Sequence, residues 1–199
     1  MNKEPKKGEY LEILLRSPKT IFSVKDVALL WSEEREQRVS LRLNKYVKSG
    51  KLIRLRRGIY AKDENYNRFE LATRIYTPAY VSFETVLTRS GINFQKYDTI
   101  FVASYVARNL EVKGQKISFV RMKDYVLSNI LGIEHQDGVA LATKERAFLD
   151  RIYVSQDYHF DNLTVLDWDK VFEILPIYHN KRMEKRVKVY FQHYQNLKV

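Results

Sequence analysis

The chain contains no cysteine, and its histidines are few. Disulfide frameworks, thiolate metal sites and cysteine nucleophiles are therefore excluded. The four histidines show no close ligand spacing: they are His135, His159, His179 and His193. We therefore expect no zinc site.

Long apolar runs are also missing, since no stretch reaches the roughly 18 apolar residues of a membrane span. The lysine-rich start, residues 1–7, leads into no apolar stretch of the kind found in signal peptides. These two absences predict a cytoplasmic protein that does not span a membrane.

Common catalytic motifs are absent as well. The sequence has no glycine-rich phosphate loop, no Ser-His-Asp order and no His-Glu-x-x-His helix. We expect no cofactor and no catalytic residues, and we interpret the chain as a protein that is not an enzyme.

The positive charge, +11 in total, is concentrated at the two ends of the chain. Residues 1–62 contain 16 lysines and arginines against 7 acidic residues, while residues 63–178 carry a net charge of −3. Residues 179–199 contain 6 basic residues and one acidic residue. This distribution predicts a polyanionic partner for the first third. The alternative is that the charge serves solubility alone.

Three helices are predicted in the first third. The first starts near Tyr10 and ends at Ser17-Pro18, and the second covers Val24–Trp31, with Ser23 and Asp26 at its start. We expect Val27, Ala28, Leu30 and Trp31 of the second helix to be available to the core. The third helix runs from about Glu34 to Lys48, with Val39, Leu43, Tyr46 and Val47 on its apolar face and Gly50 as its cap.

A short basic hairpin follows at Leu52–Ala61, with its turn at Gly58. Helices followed by a charged hairpin predict a winged helix-turn-helix, in which the third helix enters the major groove of double-stranded DNA. A solvated hairpin without a nucleic-acid partner is the alternative.

The polar face of the third helix supplies the candidate base contacts, which are Gln37, Arg38, Leu41 and Asn44. Leu41 is the exception on this face: it is either a contact to a thymine methyl group or a core residue. The candidate backbone contacts are Arg42, Lys45, Lys48, Arg54, Arg56 and Arg57.

The polar segment after Lys62 predicts a domain boundary. We therefore expect an α+β protein, with a winged helix-turn-helix at 1–62 and a mixed α/β domain at 63–199 that ends in two helices. Ser82 is a predicted helix N-cap, and Thr143 precedes a helix that carries Glu145 and Asp150.

Several segments resemble the AbiEi family of abortive-infection antitoxins. They are FSVKDVA at 22–28, GKLIRLRRGIYA at 50–61, YVS at 80–82, Gly91 and LATKERAFLD at 141–150. The similarity runs from about Tyr10 to Tyr153. It implies a regulator that represses its own toxin-antitoxin operon by binding promoter repeats. It also implies a second domain that counteracts a nucleotidyltransferase-like toxin.

Alternatives from other classes remain open. Asp137, Glu145 and Asp150, with Lys144 beside them, are the acids that a metal-dependent nuclease would use. Without a ligand, Glu145 is explained by the helix dipole and Asp150 by a surface or capping role.

A generic winged-helix regulator or a protein-interaction module, neither with a toxin partner, is a further possibility. The second of these draws on aromatic and basic residues near the end of the chain: Lys185, Arg186, Lys188, Tyr190, Phe191 and Tyr194. The sequence does not predict the oligomeric state.

Overall fold

The computed structural model describes residues 8–196, and the lysine-rich start and the last three residues lie outside this range. The described residues form a mixed α+β structure with two sheets, which confirms the predicted class. They divide into two compact units. Unit 1 contains the chain up to Ile75 and the turn Val112–Gly114, and unit 2 contains the remainder.

Unit 1 begins with three helices, and a short strand separates the first two. Its elements are α1 (Glu9–Arg16), β1 (Ile21–Ser23), α2 (Val24–Trp31), α3 (Glu36–Lys48), β2 (Ile53–Arg56), β3 (Ile59–Ala61) and α4 (Arg68–Ile75). The three helices and the hairpin lie where the sequence predicts them. The structure adds β1, which pairs antiparallel with β3 in a sheet of order β1-β3-β2.

The start of α2 is held by a capping box. The Ser23 hydroxyl accepts from the Asp26 amide at 3.1 Å, and the Asp26 carboxylate accepts from the Ser23 amide at 3.0 Å. The other Asp26 oxygen accepts from Lys19 at 3.2 Å and from Arg74 at 3.1 Å. Asp26 therefore joins the start of α2 to the segment before β1 and to α4.

Helix α4 belongs to unit 1, although the sequence placed it beyond the boundary at residue 62. The buried Glu70 carboxylate accepts from the backbone amide of Thr20 at 2.9 Å and from its hydroxyl at 2.7 Å. The segment before α4 is polar, but α4 itself contributes buried residues such as Leu71. The compact unit therefore extends 13 residues past the predicted boundary.

The core of unit 1 gathers residues of α1, β1, α2, α3 and the hairpin. Its buried members are Tyr10, Leu14, Phe22, Val27, Trp31, Val39, Leu43, Leu52 and Tyr60. The Trp31 indole N–H donates to the carbonyl of Tyr10 at 2.9 Å. Leu30 is not part of this core, contrary to expectation, because its place on α2 leaves 39% of it exposed.

Unit 2 is built on one six-stranded sheet. Its elements are β4 (Ala79–Val81), α5 (Phe83–Arg89), β5 (Thr99–Ser104), β6 (Arg108–Val112), β7 (Gln115–Arg121), α6 (Asp124–Leu127), β8 (Ile133–Gln136), β9 (Val139–Ala142), α7 (Lys144–Val154), α8 (Trp168–Ile174), a 3₁₀ helix (Leu175–Tyr178) and α9 (Lys181–Asn196). The strand order is β6-β7-β5-β4-β9-β8, with β5 parallel to β7 and β4 parallel to β9. Helix α7 packs against α5, α8 and α9.

A buried ion pair lies within α7. Arg146 and Asp150 are four residues apart, their side chains are fully buried, and Nε of Arg146 lies 3.3 Å from the carboxylate of Asp150. The guanidinium also donates to the carbonyls of Val126 and Leu131, each at 2.7 Å. A side chain at Gly132 would have no room, because its Cβ would lie 2.9 Å from Cβ of Arg146.

No helix within residues 8–196 combines the length and the apolar character needed to cross a membrane.

The capping box predicts a pH-dependent contribution to stability. Burial alone would raise the pKa of Asp26, but hydrogen bonds from Ser23 and Lys19 and the charge of Arg74 outweigh burial, so this pKa lies below its ordinary value. Stability gained from a lowered aspartate pKa is present above the unfolded-state value and is lost as the pH falls through the folded-state value. We expect Asp26→Asn to cost about 1 to 2 kcal/mol at pH 7, measured by urea unfolding of the full chain.

The difference between wild type and Asp26→Asn should shrink as the pH falls below about 3.9, the ordinary aspartate pKa. Glu64→Gln, at an exposed position in the segment before α4, is the matched control and should leave stability unchanged. A cost that stays constant down to pH 2.5 would show that the charge of Asp26 is not what stabilises unit 1.

Candidate nucleic-acid interface

Burial determines the orientation of α3. Val39 and Leu43 are almost fully buried, and Tyr46 and Val47 pack against the same core. Since neighbouring helix residues differ by about 100°, the opposite face of α3 must point away from that core. The structure confirms the predicted apolar face of this helix.

The exposed face of α3 contains most of the predicted contact residues. The exposed members are Gln37, Arg38, Leu41, Lys45 and Lys48, whereas Asn44 is half-buried. Leu41 is 65% exposed. The alternative that Leu41 is a core residue is therefore wrong, and the predicted rotation of α3 is confirmed.

Arg38 lies in the first turn of α3, beside the turn that precedes this helix. Its guanidinium is 3.9 Å from the Glu33 carboxylate, and its side chain remains 60% exposed. Glu33 in turn accepts from the backbone amide of Arg35 at 3.1 Å. This ion pair is long and exposed, so it constrains Arg38 only weakly at the start of α3 and leaves its other donors available.

Arg42 takes a different position from the other predicted backbone contacts. Its guanidinium carbon lies 3.3 Å from the centroid of the Tyr10 ring and 5.6 Å from that of Trp31, which is a cation–π arrangement. Arg42 is half-buried and joins α3 to α1. The phosphate contact of Arg42 stays a prediction. It would have to be made by a guanidinium group that is already stacked on Tyr10.

The hairpin presents its arginines next to a glycine turn. Arg54 and Arg57 are exposed, Arg56 is half-buried, and a register shift separates Arg54 from Arg56 in the β2–β3 pairing. Gly58 has a φ of 78°, a conformation that favours glycine. Its carbonyl accepts from the Val24 amide at 3.2 Å, which ties the hairpin turn to the start of α2.

Unit 1 has further exposed cations that were not among the predicted contacts, and Lys25, Arg35 and Lys51 are three of them. Arg35 is the N-cap residue of α3, so it immediately precedes the first turn. The predicted start of the helix near Glu34 placed Arg35 inside the helix. A turn predicted to extend to Arg35 would have placed this residue next to the helix N-terminus, where proteins commonly contact phosphates.

The acidic residues considered for a nuclease do not form one cluster. Asp137 occupies a turn between β8 and β9, and the Glu145 carboxylate accepts from the backbone amide of Asp167 at 3.1 Å. Within residues 8–196, no group of three histidines or acidic residues is arranged to hold a metal ion.

Asp150 is neither a surface residue nor a helix cap, contrary to expectation. Besides its ion pair with Arg146, its carboxylate accepts from the hydroxyls of Ser82 and Tyr178, each at 2.7 Å, and of Tyr80 at 3.2 Å. Ser82 is the N-cap residue of α5, but its hydroxyl bonds Asp150 instead of an amide of that helix. Burial and the charge of Asp150 raise the pKa of Tyr178 well above its ordinary value, which keeps this hydroxyl a donor.

The aromatic residues near the end of the chain are half-buried and pack against other rings of unit 2. Tyr190 contacts the rings of Phe148 and Phe160, and Phe191 and Tyr194 contact the ring of Trp168. Arg186 donates to the carbonyl of Ser155 at 2.6 Å. Lys185 and Lys188 are exposed. The aromatic side chains therefore contribute to packing, and the lysines and arginines exposed on α9 have no exposed acidic residue among them.

No model of a known protein family matches the chain, and a search of curated proteins finds no similar sequence.

The orientation of α3 predicts losses of stability of very different size for two leucines of the same helix. Leu43→Ala removes a fully buried side chain and should cost about 2 to 5 kcal/mol. Leu41→Ala changes an exposed side chain and should alter the free energy of unfolding by less than about 0.5 kcal/mol. Urea unfolding of the two variants compares them directly. Equal losses of stability would mean that α3 is rotated relative to the structure.

Proposed function

We propose that unit 1 is a winged helix-turn-helix domain that binds double-stranded DNA, and that the protein is a transcriptional regulator of the cytoplasm. The order α1-β1-α2-α3-β2-β3 and the sheet order β1-β3-β2 support this proposal. So does the short turn between α2 and α3, which Ser32 enters in a left-handed conformation.

The exposed face of α3 is the observation that carries the proposal. It places two amide side chains, a leucine and three cations on the side of the helix opposite Val39 and Leu43. A helix that enters the major groove needs this combination, because amides and guanidinium groups bind base edges and cations bind phosphates.

In the proposed complex, α3 reads bases and the hairpin holds the backbone. Gln37, Arg38, Leu41 and Asn44 contact base edges, since the early part of a recognition helix lies deepest in the groove. The backbone contacts are Arg42, Lys45, Lys48, Arg54, Arg56 and Arg57. No catalytic step and no cofactor enter this function.

The antitoxin role is a second level of the proposal. It draws on the resemblance of residues 10–153 to the AbiEi family. We propose that the regulator represses its own toxin-antitoxin operon by binding promoter repeats, and that unit 2 counteracts a nucleotidyltransferase-like toxin. The DNA-binding proposal stands without this level.

Two arginines should separate sequence reading from backbone binding. Arg38→Ala should weaken binding at one base position by about 1 to 3 kcal/mol, whereas Arg56→Ala should weaken binding to promoter and random duplexes alike. With about six phosphate contacts, the logarithm of affinity should fall with the logarithm of salt concentration with a slope of about −5, and Arg56→Ala should reduce this slope by about one. Titration of labelled duplexes at several salt concentrations measures both effects.

Arg16→Ala is the matched control, because Arg16 is an exposed arginine of α1 that pairs with Glu12. It should leave the affinity for the promoter nearly unchanged. If Arg38→Ala and Arg56→Ala lost equal affinity for promoter and random duplexes, α3 would not be the helix that contacts bases. An affinity that does not change with salt concentration would contradict the proposal that unit 1 binds DNA.

The antitoxin role predicts that expression of the adjacent gene arrests growth and that this chain restores it. Gly132→Val should abolish the rescue because it disrupts the packing around Arg146 in unit 2, while Arg56→Ala should retain it. If the product of the adjacent gene is not toxic, or is toxic but not counteracted by this chain, the antitoxin role is wrong and only the proposed DNA-binding regulator stands.

A further inference from the structure

Leu41 is the apolar residue at the centre of the exposed face of α3. It is 65% exposed, whereas Val39 and Leu43, two residues away on either side, are 1% and 0% exposed. Burying a leucine side chain is stabilising, so this position forgoes a stabilising contact in the free protein. A single exposed leucine is common on protein surfaces, and its neighbours therefore decide whether it has a role.

Those neighbours are residues that can bind DNA. At about 100° per residue, Gln37, Arg38, Asn44 and Lys45 all lie within about 60° of Leu41 around the helix axis. Residues three or four positions apart on a helix have Cβ atoms about 5 to 6 Å apart. Leu41 is thus enclosed by two amides and two cations on the face that the proposed function turns toward the major groove.

The major groove offers one apolar group to such a side chain. Base edges there present hydrogen-bond donors and acceptors, and only thymine adds a methyl group, at carbon 5. A leucine set against any other base edge would desolvate a donor or acceptor without bonding it. The methyl group instead gives Leu41 an apolar surface to bury.

We infer that Leu41 makes this protein a reader of the pyrimidine 5-methyl group. The inference rests on the proposed function, since it assigns one specificity to the same face. The ligand group is the methyl carbon itself, so 5-methylcytosine offers the same contact as thymine when it occupies the same position. The flanking Gln37 and Asn44 suit an adjacent adenine, whose N6 and N7 atoms accommodate an amide.

The test removes the methyl group without changing base pairing. Each thymine of the protein's own promoter site is replaced in turn by deoxyuridine, and the affinity of the full chain is measured by titration. One position in each repeat should lose about fourfold in affinity, as expected for the loss of one buried methyl-sized group at about 0.8 kcal/mol. At that position, 5-methylcytosine should bind more tightly than cytosine by a similar factor.

Variants of the protein identify the residue responsible. Leu41→Ala should bind the thymine and deoxyuridine duplexes equally, and it should fold normally because the side chain is exposed. Leu29→Ala is the matched control: Leu29 is 81% exposed on α2, and this variant should keep the full discrimination.

The outcomes separate this inference from the proposed function. If the protein prefers its promoter to random DNA but no thymine is distinguished from deoxyuridine, or if Leu41→Ala keeps the discrimination, the methyl reading is overturned and the regulator stands. If the protein binds neither its promoter nor random duplexes, the inference and the DNA-binding proposal both fail.

Discussion

The burial of Val39 and Leu43 determines the candidate interface, because it sets the rotation of α3 about its own axis. Trp31 forms part of the core that receives them, and its indole N–H is fixed on the carbonyl of Tyr10 at 2.9 Å. A rotation of α3 by about 100° in either sense would turn polar or charged side chains into this core, and unpaired polar groups are costly to bury. The exposed positions therefore follow from the apolar ones.

Unit 2 depends on a different constraint, the buried pair of Arg146 and Asp150. Charges can be buried only when nearly all of their hydrogen-bonding groups have partners. Here the donors to Asp150 come from β4, from the start of α5 and from the 3₁₀ helix, while Arg146 donates to carbonyls between Val126 and Leu131. The pair thus specifies which elements meet around α7. It also explains why Asp150 is an internal acceptor and not an exposed acid.

The helices of unit 1 could be predicted because the residues that define them are local: a capping pair, an apolar period of 3.6 residues and a terminal glycine. The strands β1, β4, β6 and β8 could not, since three to five residues carry too little pattern and their partners are distant in sequence. The same limit explains the error at Asp150, whose partners Tyr80 and Tyr178 lie 70 and 28 residues away. It also explains Arg42, whose stacking partner Tyr10 belongs to another helix.

Several cations of unit 1 already have partners within the protein, so the positive charge available to a ligand covers a smaller surface. Lys19 and Arg74 are paired with Asp26, Lys62 donates to backbone carbonyls, and Arg42 lies on Tyr10. Across residues 8–196, the ion pairs of the structure do not involve Lys45, Lys48, Arg54 or Arg57. The predicted contacts that make no ion pair thus lie on α3 and the hairpin, and the proposed binding through them would be sensitive to salt. Of the four residues proposed to contact bases, Gln37, Leu41 and Asn44 are uncharged, so these three contribute least to that sensitivity.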